Sequence, residues 1–202
     1  MLRITDVVKH LIIINVIVYA VFVFIFPQFQ VYSILHMPWG LEQKFAPVQL
    51  VTHMFMHDPR GFTHILFNMM SLYFIGPNIE QVLGKERFLI FYLACGFAAM
   101  GLHMLLSYLG IILPSPVVGA SGAIMGIFIA FAILFPNTKL MLLFPPIPIK
   151  AKFLMGGLIL FDVFSGIGGF STGIAHFAHL GGALCGFVMM NVWGYFDAKR
   201  FR

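Results

Sequence analysis

The chain has 202 residues, of which 60% are hydrophobic and 9% charged, and its formal net charge is +5. A soluble domain of this size carries roughly a quarter charged residues, so the excess apolar surface needs lipid as its solvent, and no large soluble domain fits between the apolar runs. The basic residues form no cluster dense enough for nucleic acid, and Cys95 and Cys185 both fall inside predicted membrane helices and imply no disulfide framework.

A membrane helix needs about 20 mostly apolar residues. In chain order, the first predicted span is residues 7–26, with no small-residue cleavage site behind it of the kind a signal peptide needs. Residues 27–60 are broken by Pro27, Pro38, Pro47 and Pro59 yet hold Trp39, Glu42 and Lys44. That mixture predicts a loop on the outer side with pieces lying in the interface. Four more spans follow at 61–80, 87–108, 117–135 and 151–168, and a sixth at 173–195. Pro114-Ser115-Pro116 and Pro136-Asn137 bound the fourth span, and Phe144-Pro145-Pro146-Ile147-Pro148 is expected to turn at the interface. The expected fold is an all-α polytopic membrane protein, a single domain over 1–202 with six helices and an interfacial first loop.

Six spans place both termini on one side. Arg3, Lys9, Lys85, Arg87, Lys139, Lys150, Lys152, Lys199, Arg200 and Arg202 then share the face with the termini, and only Lys44 and Arg60 lie opposite. This bias of Lys and Arg predicts cytoplasmic termini. Glu80, beside Lys85 and Arg87, is expected to sit at a solvated inner boundary.

Three apolar spans carry polar residues that are costly in lipid unless they pair or line a wet cavity. They are His64 and Asn68 in the second span, Ser121 at the head of the fourth, and His176 and His179 in the sixth. Counting about 1.5 Å per residue from inner ends at Glu80, Phe135 and Tyr195, His64 lies about 24 Å up, Asn68 about 18 Å, Ser121 about 21 Å and His179 about 24 Å. All four fall in the outer third of a hydrocarbon core of about 30 Å. Gly122-x-x-x-Gly126 and Gly182-x-x-x-Gly186 offer flat faces on which the fourth and sixth spans can pack closely. His64 and Asn68 are i and i+4 and share one side of the second span.

This set of residue types suits hydrolysis. A serine hydroxyl needs a neighbouring base, and neutral histidine fills that role near pH 7. The tetrahedral intermediate needs preorganised donors, which the Ser121 N–H, the Asn68 amide and the His64 ring can supply. No Asp or Glu sits at this depth on the second, fourth or sixth span, so a Ser–His dyad is expected rather than a triad. Asp162, in the outer half of the fifth span, is expected to face water or cap a polar path and is assigned no catalytic role.

His64-x-x-x-Asn68, Gly119-x-Ser121-Gly122 and Ala178-His179-x-x-Gly182, in this order and on these spans, resemble the motifs of the rhomboid intramembrane serine proteases in their basic six-span form. The resemblance covers nearly the whole chain. It implies Ser121 as nucleophile and His179 as general base and acid. Asn68, His64 and the Ser121 backbone would bind the oxyanion, with neither metal nor cofactor. It also implies cleavage of transmembrane segments of other membrane proteins near the outer surface of the bilayer, with Gly119, Gly122, Gly126, Gly182 and Gly186 packing helices around the site. Two departures stand out. Gln49-Leu50 occupies the approximate place of a Trp-Arg pair that many members carry in the first loop, and Met56 to His64 runs slightly longer than in some members.

Several bland readings compete. Ser121 can be a packing serine, and His64 and Asn68 can simply bond between helices. His176 rivals His179 as the base, although the Gly182 spacing favours His179 and places His176 nearer the surface. His53 and His57 are also i and i+4, a spacing that can bind metal, but at a loop boundary a structural role is expected. The glycines of the fifth span, Gly156, Gly157, Gly166, Gly168 and Gly169, suit weak packing and a lateral gate for substrate. A non-proteolytic relative that binds transmembrane helices would lack one or both dyad residues, and a transporter would spread its polar residues over several depths. A minimal chain of this kind fits a bacterial plasma membrane, with the site open to the outer side. Substrate identity, cleavage preference and oligomeric state are not legible.

Overall fold

The computed structural model describes residues 4–25, 48–58, 61–113, 115–142, 145–168 and 175–196. Most of the expected interfacial loop (27–60) and both chain ends, with Arg3, Lys44, Arg60, Lys199, Arg200 and Arg202, lie outside the described residues. Seven α-helices lie within them: α1 (Asp6–Ala20), the single turn α2 (Gln49–Thr52), α3 (Phe62–Leu83), α4 (Lys85–Tyr108), α5 (Ser121–Leu134), α6 (Ala151–Ile167) and α7 (His176–Val192). A π-helical turn, Val21–Ile25, extends α1. Asp6–Ile25 and Lys85–Tyr108 are long and apolar enough to cross a membrane, while Ser121–Leu134 and His176–Val192 are shorter apolar helices. α3 is 22 residues long but carries His64, Asn68, Asn78 and Glu80, which lower its hydropathy.

The centre of the molecule is α4, α5 and α7, packed on one another through small residues. A Cβ added at Gly182 would run into the Gly122 backbone, and one at Gly186 would come within 2.7 Å of the Gly126 Cα. Gly126 in turn lies against the Cys95 side chain, and Gly122 against the Ala99 methyl. Glycine and alanine at these crossings let the three backbones approach until dispersion contacts replace lipid. Phe88, Phe91, Tyr92 and Cys95 of α4 fill the interior together with Leu72 and Ile79 of α3, Ile127 of α5 and Met190 of α7. Val8 and Leu11 of α1 close this core on the α3 side.

Two features of the end of the bundle away from Ser121 differ from expectation. Glu80 is 3% exposed rather than solvated. Its carboxylate accepts hydrogen bonds from Val7 N at 3.1 Å, Val8 N at 2.9 Å and the Thr5 hydroxyl. The first N–H groups of a helix have no acceptor within it, and a carboxylate there also meets the positive end of the helix dipole. Charge counting could not reveal this role, because the partner lies more than seventy residues away in the chain. Second, the segment between α5 and α6 is a β-hairpin, not only a turn. β1 (Lys139–Met141) pairs antiparallel with β2 (Pro148–Lys150), with Lys139 opposite Lys150 and Met141 opposite Pro148. Helices α3 and α4 are joined by the single residue Gly84, whose φ of 79° is a conformation that favours glycine.

α6 is attached on one side only. It buries Ala151, Met155, Asp162 and Ser165, while Phe153, Leu160, Phe161, Phe164 and Ile167 are exposed. A Cβ at Gly156 or Gly157 would meet nothing within 4 Å, whereas one at Gly166 would press on the Phe177 ring at 2.9 Å.

Candidate active site

Ser121 opens α5. The chain enters that helix through Gly119, whose φ of 105° suits glycine. The Gly119 N–H donates to the His53 carbonyl at 2.8 Å, and a Cβ there would come within 2.9 Å of the His64 ring. Glycine is therefore required twice, by backbone conformation and by the closeness of histidine. As the first residue of a helix, Ser121 has an N–H with no acceptor within the helix, at the positive end of its dipole.

The Ser121 hydroxyl lies 3.0 Å from His179 Nε2. His179 stands one turn into α7, and the Gly182–Gly122 contact lies just below the pair. Behind the imidazole is a carboxylate. His179 Nδ1 is 3.2 Å from Asp162 Oδ2 and 3.3 Å from Oδ1, and His176 Nδ1 is 2.7 Å from Oδ1. An ionised carboxylate only accepts hydrogen bonds. Nδ1 of His179 must then carry the proton, which leaves the Nε2 lone pair facing the serine O–H. The Phe161 ring meets His176 edge-on at 5.6 Å.

On the other wall, His64 Nδ1 accepts a hydrogen bond from the Asp58 backbone N–H at 3.2 Å. That bond fixes the opposite tautomer, with the proton on Nε2. Asn68 spends one amide hydrogen on the His64 carbonyl at 2.8 Å and keeps the other. His64, Asn68, Ser121, Asp162 and His179 line one cavity of about 880 Å³, with His53 and Asp58 also at its wall. His57 stacks obliquely on His64, with ring centroids 5.1 Å apart. Burial, and then the neighbouring His64, pull the His57 ring down to about 4, and burial lowers His53 as well. Both rings are thus neutral near pH 7. Among the described residues, no three of His, Cys, Asp and Glu are grouped to hold a metal ion.

The family model of the Rhomboid domain matches residues 44–196. The chain belongs to the rhomboid family. Rhomboids are polytopic all-α membrane proteins, which accounts for the apolar residues exposed on α1, α4 and α6. YdcA of Bacillus subtilis (strain 168) is 39% identical over 95 residues, 44% of this chain and 43% of the relative. Rhomboid protease AarA of Providencia stuartii is 33% identical over 141 residues, 61% of this chain and 48% of the relative. RHOMBOID-like protein 1 of Arabidopsis thaliana is 32% identical over 160 residues, 75% of this chain and 37% of the relative. The chain spans about half or less of the length of these relatives, and α1 lies outside the family match.

Within this rhomboid, Ser121, His179, His64 and Asn68 share the cavity, and Gly119, Gly122, Gly126, Gly182 and Gly186 make the close approaches described above. His176 opens α7 one turn before His179, and it is 5% exposed and bonded to Asp162. Asp162 does not face bulk water but lines the cavity wall. It is 3% exposed and contacts the very histidine that reaches Ser121. The carboxylate missing from the second, fourth and sixth spans is supplied by the fifth. A signal was present. Counted from the end of α6 at Ile167, Asp162 lies about 8 Å along the helix, level with the other polar residues.

Proposed function

We propose that this rhomboid is an intramembrane serine endopeptidase that hydrolyses peptide bonds in or near transmembrane segments of membrane proteins. The observation that carries the reading is the 3.0 Å approach of Ser121 Oγ to His179 Nε2 inside a cavity whose facing wall presents His64 and Asn68. Ser121 Oγ attacks the scissile carbonyl as its proton passes to His179 Nε2. The oxyanion of the tetrahedral intermediate is met by the Ser121 N–H, the free Asn68 amide hydrogen and the His64 Nε2–H. His179 then returns the proton to the leaving amine, and the C–N bond breaks to leave an acyl-serine. Water attacks that ester by the same route in reverse, giving up a proton to His179 and then to Ser121 Oγ. No step calls for a metal or cofactor.

The substrate helix enters sideways past α6, which packs on one face only, and water reaches Ser121 from the outer side. The ten basic residues on the face of the termini support cytoplasmic ends, in the manner of a bacterial plasma-membrane protein.

The test is cleavage of a single-span substrate in proteoliposomes. Wild type should cleave, and Ser121→Ala and His179→Ala should each lower kcat by roughly 10⁴-fold or more, with melting temperatures unchanged. A fluorophosphonate probe should label wild type at Ser121 alone. Wild type that neither cleaves nor is labelled would overturn the protease reading in favour of helix binding.

A further inference from the structure

Asp162 is the one acidic residue of α6. In an apolar helix an ionised carboxylate is expensive unless it is paired, and here it is 3% exposed. Its two oxygens are shared between two histidines of α7. Oδ1 accepts from His176 Nδ1 at 2.7 Å, and His179 Nδ1 donates to the carboxylate at 3.2 Å from Oδ2 and 3.3 Å from Oδ1. The second of these histidines is the one in contact with Ser121.

We propose that Asp162 is a positioning residue for the reaction: held by His176, its carboxylate fixes His179 with the proton on Nδ1 and stabilises the imidazolium that forms when Nε2 takes the serine proton. The proposal rests on the protease reading above. The hydrogen bonds allow one consistent assignment. Were the His179 proton on Nε2, an Nδ1 lone pair would face a carboxylate oxygen, and two donors would face each other between Nε2–H and Ser121 O–H unless the hydroxyl turned away from the base. With the proton on Nδ1, every contact pairs a donor with an acceptor.

During attack the O–H bond of Ser121 breaks and the proton moves to Nε2, so the ring becomes cationic. It then faces a buried anion across one hydrogen bond, and charge pairs away from bulk water interact strongly. The proton on Nδ1 stays there, and Asp162 remains a carboxylate throughout. His176 gives the carboxylate its orientation. It holds Oδ1 by the shorter bond, which leaves both oxygens within reach of His179 Nδ1. The carboxylate also ties α6 to α7 at the level of the reacting atoms, so the base is complete only while α6 is seated.

The experiment compares wild type, Asp162→Asn and Asp162→Glu in the proteoliposome assay, together with ¹⁵N-histidine spectra of wild type in which the His179 signals are assigned with His179→Ala. Asp162→Asn should lower kcat on the order of 10²-fold, less than full removal of the base, with KM within about twofold. Asp162→Glu, which keeps the charge, should retain more activity than Asp162→Asn. The wild-type spectrum should show the His179 proton on Nδ1. A wild type that cleaves, with Asp162→Asn equal to it in kcat, overturns the positioning role and leaves the protease reading intact. A wild type that does not cleave and is not labelled at Ser121 overturns both. Should Asp162→Asn fail to fold, the wild-type spectrum decides, because a His179 proton on Nε2 overturns the assignment.

Discussion

At the scale of single residues, the cavity is organised by backbone groups that fix which ring nitrogen carries a proton. Asp58 N–H donating to His64 Nδ1 leaves the proton on Nε2, where the proposed oxyanion contact needs it. His64→Ala and Asn68→Ala should therefore each lower kcat by roughly 10²- to 10³-fold with little change in KM, measured in the same cleavage assay. His57 supports this wall. Its pKa is about 4 in the folded protein and near 6.5 in an unfolded chain, because burial penalises the charged ring. The unfolded state then binds the extra proton between those values, so the stability this ring contributes is full above about pH 6.5 and is lost as pH falls toward 4. A melting-temperature series from pH 7 to 4 should fall for wild type, and the fall should be shallower for His57→Phe. It should not vanish, since burial lowers His53 in the same direction. Ser121, His64, Asn68 and His179 were legible because each is a polar residue in an apolar run at one depth. Asp162 was not, because α6 runs opposite to the three helices whose depths are directly comparable, and without Asp162 the His176 on α7 had no visible partner. A buried pairing between antiparallel spans needs the packing of α6 on α7, which no periodicity in either helix announces.

At the scale of helices, the site depends on how closely α5 and α7 approach. A methyl group at Gly182 would meet the Gly122 backbone, which has no rotamer to give way. Gly182→Ala should destabilise by about 1–3 kcal/mol and, by parting the helices that carry Ser121 and His179, lower cleavage as well. Gly156→Ala faces open space and should change stability by no more than about 1 kcal/mol. Thermal unfolding in detergent checks both, and equal losses at the two sites would contradict the packing argument. Spacing alone made the Gly122–Gly126 and Gly182–Gly186 faces readable. It could not reveal the β-hairpin between α5 and α6, whose strands are three residues each and too short for any alternation to register. Nor did it reveal the Glu80 cap. Glu80→Ala should leave the N–H groups of Val7 and Val8 without their acceptor, costing about 1–3 kcal/mol, and hydrogen exchange at those two amides should quicken relative to the rest of α1.

At the scale of the whole molecule, two questions join. One is which way round the protein sits, and the other is how a substrate helix reaches a cavity closed by α6. The β-hairpin, with Lys139, Lys150 and Lys152, and the loop at Leu113 lie at opposite ends of α5. If basic residues set the orientation, Lys150→Cys should react with a membrane-impermeant thiol reagent only from the cytoplasmic side, and Leu113→Cys only from the outside. The reverse pattern would invert the proposed topology. α6 packs on one face only, yet it carries Asp162. Outward movement of α6 would separate the carboxylate from His179 and bring it back on closure. Entry of substrate and activation of the base then become successive events, and peptide bonds that pass by while α6 is open meet a weaker base.

The Glu80 cap has a consequence for biogenesis. The carboxylate that completes the first turn of α1 arrives in the chain 72 residues after Val8, near the end of α3. While the protein is being made, α1 emerges with its leading amides unclaimed and waits for α3 to be synthesised and inserted beside it. Both halves of this pair lie before α5 and α7 in the chain, so its closure requires no residue of either. Ser121 and His179 stand on elements that follow it. A misplaced α1 would leave the Val7 and Val8 amides without the Glu80 acceptor whether or not those later helices were seated.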